Sequence, residues 1–167
     1  MARVFAYGSL VSPDGGAPRP ATLPGWRRRW GVAMDNAVDI PGYKHFERPA
    51  VFVAFLDIDP ADGHEVEGAV LEIADAALPA LDARERNYAR VRVETSAGPA
   101  WTYVGSRQGR ARLARGVREG RCVVAHQYLD RVRAGFAALG DGAMDRFERS
   151  TGPLPGPVMR LVVVPHA

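Results

Sequence analysis

Short apolar runs with period-two alternation recur along the chain. Residues 3–7, 50–58, 65–73, 89–95, 100–104 and 160–164 are rich in Val, aromatics and alternating polar positions, and they read as strands. Val91 and Val93 set against Arg90, Arg92 and Glu94 predict a strand with one buried face, and "ETSAGPAWTY" predicts a hairpin turning at Ala97-Gly98-Pro99. A helical period takes over in "CVVAHQYLDRVRAGFAAL", where Ala125, Tyr128, Leu129, Val132, Phe136 and Leu139 fall on one stripe. The stripe ends at Gly140, and Asp141 is placed to cap a shorter helix carrying Met144 and Phe147. Residues 75–88 are long enough for another short helix, with Pro79 tolerable near its start. Strands fill most of the first two-thirds and regular βαβ alternation is absent. The pattern predicts an α+β domain in which a few helices cover a strongly bent or barrel-like sheet.

A chain of 167 residues, 47% hydrophobic and 25% charged, fits one domain spanning residues 1–167 with a sizeable core. The Pro/Gly clusters at residues 12–16, 98–99 and 151–157 are too short for linkers between domains. Met1 leads directly into a strand-like segment, with no basic region and apolar core behind it, and no apolar run reaches spanning length; a cytoplasmic protein that does not enter membranes is expected. The one cysteine, Cys122, is expected to pack as a small buried hydrophobe.

Charge adds little at first. Of 22 basic residues against 19 acidic ones, all but Lys44 are arginine, and the net charge is +3. The basic runs "WRRRW" at 26–30 and "SRQGRARLARGVREGR" at 106–121 raise phosphate or nucleic-acid contacts as a possibility. The second run, however, carries Leu113, Val117 and Glu119 in a pattern that suits the solvated face of a short helix. With no zinc-finger or RNA-binding signature beside them, no nucleic-acid partner is expected.

One carboxylate departs from the charge pattern. On a helix over 75–88, Leu78, Leu81 and Glu85 stand at i, i+3 and i+7, so Glu85 extends an apolar stripe while Arg84 and Arg86 project elsewhere. Two readings fit: Glu85 swings out at the helix end to pair with Arg84, Arg86 or Arg90, or it is buried. Burial would raise its pKa toward neutrality and let it both accept and donate a proton.

"FAYGSL", "VEGAVLEI", "LDARERNYARVRVE" and "AWTYVG", in this order, resemble the gamma-glutamylcyclotransferase-like (AIG2-like) proteins. The resemblance runs from Arg3 to Gly105 and more weakly through "HQYLDRVRAG". It implies a small mixed β-barrel with flanking helices. It also implies an enzyme that cyclises a γ-glutamyl group to 5-oxoproline, releasing an amine or amino acid without a cofactor or metal. On this resemblance Tyr7, Gly8, Ser9 and Leu10 form the loop whose backbone N–H groups bind the substrate, and Glu85, in Leu81-Asp82-Ala83-Arg84-Glu85, is the catalytic glutamate. Gly8 would permit close backbone approach and unusual dihedrals. A plain strand-ending turn suits Gly8-Ser9 as well.

Tyr128 resembles a pocket-lining tyrosine of some relatives and equally fits the core stripe. Tyr88 reads as packing or hydrogen-bond support. His45, His64, His126 and His166 are scattered, so no metal site is expected. The segment 34–49 matches no motif and suits either a specificity loop or an ordinary surface loop. The expected partner is a small γ-glutamyl molecule. The alternative is a non-catalytic small-molecule-binding module on the same fold, and self-association is left open.

Overall fold

The computed structural model describes residues 1–12, 18–38 and 41–165. Its elements run β1 (Ala2–Ala6), β2 (Arg19–Asp35), β3 (Gly42–Lys44), β4 (Phe52–Ile73), a 3-10 turn (Asp75–Ala77), α1 (Leu78–Arg84), β5 (Tyr88–Thr95) and β6 (Gly98–Gly105). There follow α2 (Arg107–Arg118), β7 (Cys122–Ala125), α3 (His126–Ala137), α4 (Ala143–Ser150), β8 (Val158–Met159) and β9 (Val162–Val164). The expected α+β class is what forms.

The scaffold is the antiparallel β2–β4 ribbon, paired from Arg19 opposite Val70 to Asp35 opposite Phe52. Its register shifts twice, between Pro24 and Trp26 and between Trp30 and Val32. At the first shift Gly25, at φ 79°, stands alone against residues 61–64, a bulge that sharpens the bend. The two halves of β4 therefore meet different neighbours. The C-terminal half pairs with β1 antiparallel and the N-terminal half with β7 in parallel. The sheet path is β5-β6-β1-β4-β7-β8, with β2 on β4, and β3 pairs separately with β9. At the β5–β6 tip, Ser96 donates its N–H to the Thr22 carbonyl at 2.9 Å and its hydroxyl accepts from Thr22 N–H at 2.8 Å. The hairpin thus reaches back to β2 and the sheet curls strongly, although its strand path is not closed among the described residues. Phe5, Leu23, Leu56, Ile58, Val66 and Phe136, each 1% exposed or less, fill the enclosed space.

Several expectations are corrected. Residues 50–58 and 65–73 belong to one strand, because Pro60 stays in register opposite Trp26 and residues 61–64, Gly63 among them, are absorbed by the bulge. The helix expected over 122–139 begins only at His126: Cys122–Ala125 is a fully buried strand, and a short apolar run does not distinguish strand from helix by periodicity. Gly142, in the left-handed region, caps α4 in place of Asp141. Arg19–Asp35 was not foreseen as a strand, since its basic centre masked the alternation. The β5–β6 turn lies where expected, with Gly98 at φ 96°. Ser106 Oγ caps α2 by accepting from Gly109 N–H, and Leu113 is buried beneath that helix while Val117 is exposed. Cys122 is buried, as expected. The cluster at 12–16 lies outside the described residues after Ser12, and His166 lies outside them too. Among the described residues, no helix is long and apolar enough to cross a membrane.

Candidate active site

β1 ends at Ala6 and the chain turns at once. Val11 N–H donates to the Gly8 carbonyl at 3.0 Å, closing a turn over residues 8–11. Among the described residues, none of the turn and loop hydrogen bonds takes the N–H of Gly8, Ser9 or Leu10 as donor. Buried or half-buried amides of this kind need a partner from outside the backbone. Tyr7 anchors the loop, its buried hydroxyl donating to the Tyr103 carbonyl at 2.6 Å. Gly8 is not in the left-handed region, contrary to the expectation of unusual dihedrals. Its contribution is space: a Cβ there would meet the Tyr128 hydroxyl at 3.4 Å and Leu56 at 3.7 Å.

Glu85 comes to the same place from the other side. The helix α1 ends at Arg84, so Glu85 is its cap and not a member of a helical stripe. Its N–H donates to the Leu81 carbonyl and its own carbonyl accepts from Tyr88 N–H, both at 2.9 Å. The pinned backbone turns the side chain inward, leaving it 16% exposed. Burial raises its pKa above the ordinary carboxylate range, and Arg84, whose Nε lies 3.4 Å away, works against that rise. Asp82 is otherwise engaged: it accepts from the Tyr103 hydroxyl at 2.8 Å and pairs with Arg90 at 3.4 Å.

Tyr128 and Tyr88 grip a single residue of β4. Leu56 N–H donates to the Tyr128 hydroxyl at 3.2 Å, and the Tyr88 hydroxyl donates to the Leu56 carbonyl at 2.7 Å. Burial raises the pKa of both phenols, so both stay protonated. The Tyr128 ring packs edge-on against Trp30, Phe55 and Tyr43. It serves the core and the cavity at once, so the two readings left open for it are not exclusive.

Tyr7, Gly8, Ser9 and Leu10 line one inner cavity with Glu85 and Tyr128, and Tyr88 and Tyr103 complete its wall. At about 30 Å³ it has room for little more than a carbonyl-sized group. Outside it opens a wider cleft of about 120 Å³, walled by Met34, Tyr43 and Phe55 and rimmed by Arg84, Arg86 and Arg131. Tyr43, Phe55, Tyr103 and Arg131 were missed by sequence reasoning, because nothing in their local patterns separates them from core or surface. Part of the unassigned 34–49 segment does face the cleft, through Met34, Gly42 and Tyr43. Asn36 ties that segment together, its Nδ2 donating to the His45 carbonyl at 2.9 Å and its Oδ1 accepting from His45 N–H at 2.8 Å. Among the described residues, no three His, Cys, Asp or Glu side chains gather as a metal site.

A second buried carboxylate lies nearby. Asp57 on β4 is fully buried and accepts from Ile58 N–H at 2.8 Å, Gly105 N–H at 2.7 Å and Arg110 Nε at 2.9 Å. Gly31 and Gly105 make its space, since a Cβ on either would lie within 2.6 Å of the Asp57 side chain.

A family profile described as gamma-glutamyl cyclotransferase, AIG2-like matches residues 4–121, which contain the loop, Glu85 and both strands that hold them. The chain belongs to this family. Solved structures of the same fold include YkqA from Bacillus subtilis, with a TM-score of 0.63 and 18% identity over 93% of this chain. This chain spans only 55% of that longer protein. The protein loc79017 from Homo sapiens aligns with a TM-score of 0.61 and 16% identity over 92% of each chain. A gamma-glutamyl cyclotransferase aligns with a TM-score of 0.58 and 16% identity, over 95% of this chain and 93% of its own. A search among curated proteins found no match. The AIG2-like match stops at Arg121, just before Tyr128 enters the cavity from α3.

Proposed function

We propose that this AIG2-like protein is a cytoplasmic gamma-glutamylcyclotransferase that converts a γ-glutamyl group to 5-oxoproline and releases an amine or amino acid. The observation that supports this reading is the pairing, in one inner cavity, of unengaged loop amides with a desolvated carboxyl.

In the proposed reaction Glu85 takes a proton from the α-ammonium of the γ-glutamyl group. The freed amine attacks the γ-carbonyl carbon, forming the ring C–N bond and placing negative charge on the carbonyl oxygen. That charge collapses and the bond to the leaving nitrogen breaks as Glu85 returns its proton to that nitrogen, while the ring nitrogen sheds its second proton, which ends on the released amine as its ammonium form. One carboxyl poised above the ordinary range serves both transfers. The amides of Gly8, Ser9 and Leu10 hold the γ-glutamyl group and the developing charge. Because ring closure is intramolecular, holding the chain folded supplies much of the acceleration. Tyr7, Tyr88 and Tyr128 stay neutral and act as supports. The leaving group lies in the outer cleft, and the arginine rim favours one that carries a carboxylate, an amino acid over a simple amine.

The test is 5-oxoproline release from a panel of γ-glutamyl amino acids and γ-glutamyl amines, by native protein and by Glu85→Gln. Turnover by the native protein that is abolished in the variant is expected; equal turnover by both would sink the role given to Glu85. Binding of glutamate-like ligands with no turnover of any panel member would instead favour a non-catalytic binding module.

A further inference from the structure

Arg28 is the centre of the basic run at 26–30, yet it is only 3% exposed and is not available to a phosphate. It leaves β2 and places its guanidinium against the paired rings of Phe136 on α3 and Phe147 on α4, which pack on each other at 4.5 Å, so that it lies 4.7 and 4.5 Å from their centroids. Nη1 donates to the Tyr7 and Glu67 carbonyls, each at 3.1 Å, and Nη2 reaches Ser150 Oγ at 3.4 Å. An apolar side chain would cover two aromatic rings equally well. What the cation adds is a charge-assisted bond to the carbonyl of the loop's first residue.

That carbonyl shares a peptide unit with Gly8 N–H. No peptide among the described residues is cis, and a trans peptide carries its C=O and N–H on opposite sides. Drawing the Tyr7 carbonyl toward Phe136 and Phe147 turns Gly8 N–H the other way. The same bond pulls electron density toward the carbonyl oxygen and makes that N–H a better donor. The far end of the loop is fixed as well: a Cβ on Gly135 of α3 would lie 1.6 Å from the Val11 carbonyl oxygen, so the loop backbone rests directly on that helix.

We infer that Arg28 is a positioning residue of the site. It sets the plane of the Tyr7–Gly8 peptide so that Gly8 N–H faces the inner cavity and meets the charge that develops on the γ-glutamyl group. The catalytic consequence rests on the function proposed above; the orientation of the peptide does not.

Tyr7-Gly8 is the one Tyr-Gly pair in the chain, so carbonyl-13C tyrosine with 15N glycine labels this single peptide for NMR. Arg28→Met keeps a stem against the rings and removes the donor, whereas Arg28→Lys keeps the charge. The Tyr7 carbonyl and Gly8 amide resonances are expected to shift in Arg28→Met, with faster Gly8 amide exchange in a folded protein. The kcat for 5-oxoproline release per folded molecule should fall about 10- to 100-fold with KM within about threefold, the pattern for a transition-state donor, and Arg28→Lys should recover part of it. A merely structural arginine predicts a lower Tm with both resonances and kcat per folded molecule unchanged, and that result overturns the inference. Should Arg28→Met not fold, the same resonances in Arg28→Lys decide: a shift supports the inference and identity with native protein overturns it. If native protein turns over no γ-glutamyl compound, the proposed function fails while the resonances still decide the role of Arg28.

Discussion

Asp57 and Glu85 are two carboxylates withdrawn from water in one small protein, and their surroundings differ. Asp57 is met by two backbone N–H groups and a guanidinium, in a space cleared by Gly31 and Gly105. Among the described residues Glu85 has one ion-pair partner, Arg84 at 3.4 Å, and otherwise faces a cavity. Burial alone therefore does not mark a reactive group. A carboxylate whose acceptor positions are filled is structure; one whose desolvation is uncompensated, beside a void, is held ready for a proton.

Exchanging each group for a neutral one should separate the two. Glu85→Gln is expected to lower kcat for 5-oxoproline release by about 10²- to 10⁴-fold, the usual worth of a positioned acid–base group, without lowering Tm. Its pH dependence carries a sign. Burial raises the folded pKa above the reference 4.5, so the folded state holds that proton more tightly than the unfolded chain. Any stability Glu85 contributes is fully present below the unfolded pKa and is lost as pH rises through the folded value. Native protein should therefore lose stability relative to Glu85→Gln over that rise, and the acid limb of its kcat/KM profile should lie above the ordinary carboxylate range. Denaturant titrations at stepped pH check the first and pH–rate profiles the second. A stability difference independent of pH would remove the contrast with Asp57.

Asp57→Ala should do the reverse. It strands two N–H groups and takes one of two carboxylate partners from Arg110, which keeps Asp59 at 3.0 Å; breaking a buried pair costs about 3–5 kcal/mol, here nearer 2–4 because of that second partner and because the Arg110 side chain is 34% exposed. Urea unfolding measures the loss, and activity per folded molecule should stay within about threefold. A collapse of kcat with stability intact would make Asp57 part of the chemistry.

The same contrast explains what could be read from the chain. Glu85 drew notice because a charge sat on an apolar spacing, although the residue proves to be a helix cap and not part of a stripe. Asp57 passed unnoticed: in "FLDIDP" it is one more polar position in an alternating strand, and its partners Gly105 and Arg110 are some fifty residues away. Strands with clean alternation, such as β5, were legible. The long β2 was not, since Arg28 occupies an inward position and its burial depends on Phe136 and Phe147 from helices more than a hundred residues later. The loop of the proposed site was singled out by resemblance, and the contacts that hold it, from Tyr7 to Tyr103 and from Arg28 to Tyr7, are tertiary ones which no local pattern encodes.

Tyr128→Phe tests a neutral member of the cavity wall. Removing the hydroxyl leaves Leu56 N–H buried without its acceptor, a loss of about 1–3 kcal/mol. It also enlarges the cavity beside Gly8, so KM should rise more than kcat falls. Thermal denaturation and steady-state kinetics check both, and a kcat loss matching that of Glu85→Gln would give the phenol a share of the proton transfer.

The arginine rim is the weak end of the same scale. Arg131 borders the outer cleft near Tyr43, where water screens whatever carboxylate a ligand presents. An exposed ion pair is worth about 0.2–1 kcal/mol, so Arg131→Gln should raise KM for a γ-glutamyl amino acid by at most about fivefold and leave KM for a γ-glutamyl amine unchanged. Because both charges are solvated, the difference should shrink as salt shortens the screening length, which an uncharged packing role for the Arg131 stem would not do. Kinetics for the two substrate classes at low and high salt therefore separate a carboxylate contact from a wall contact. An equal rise for both substrates, insensitive to salt, would leave the choice of leaving group to Tyr43 and Phe55 and confine useful charge in this protein to its buried sites.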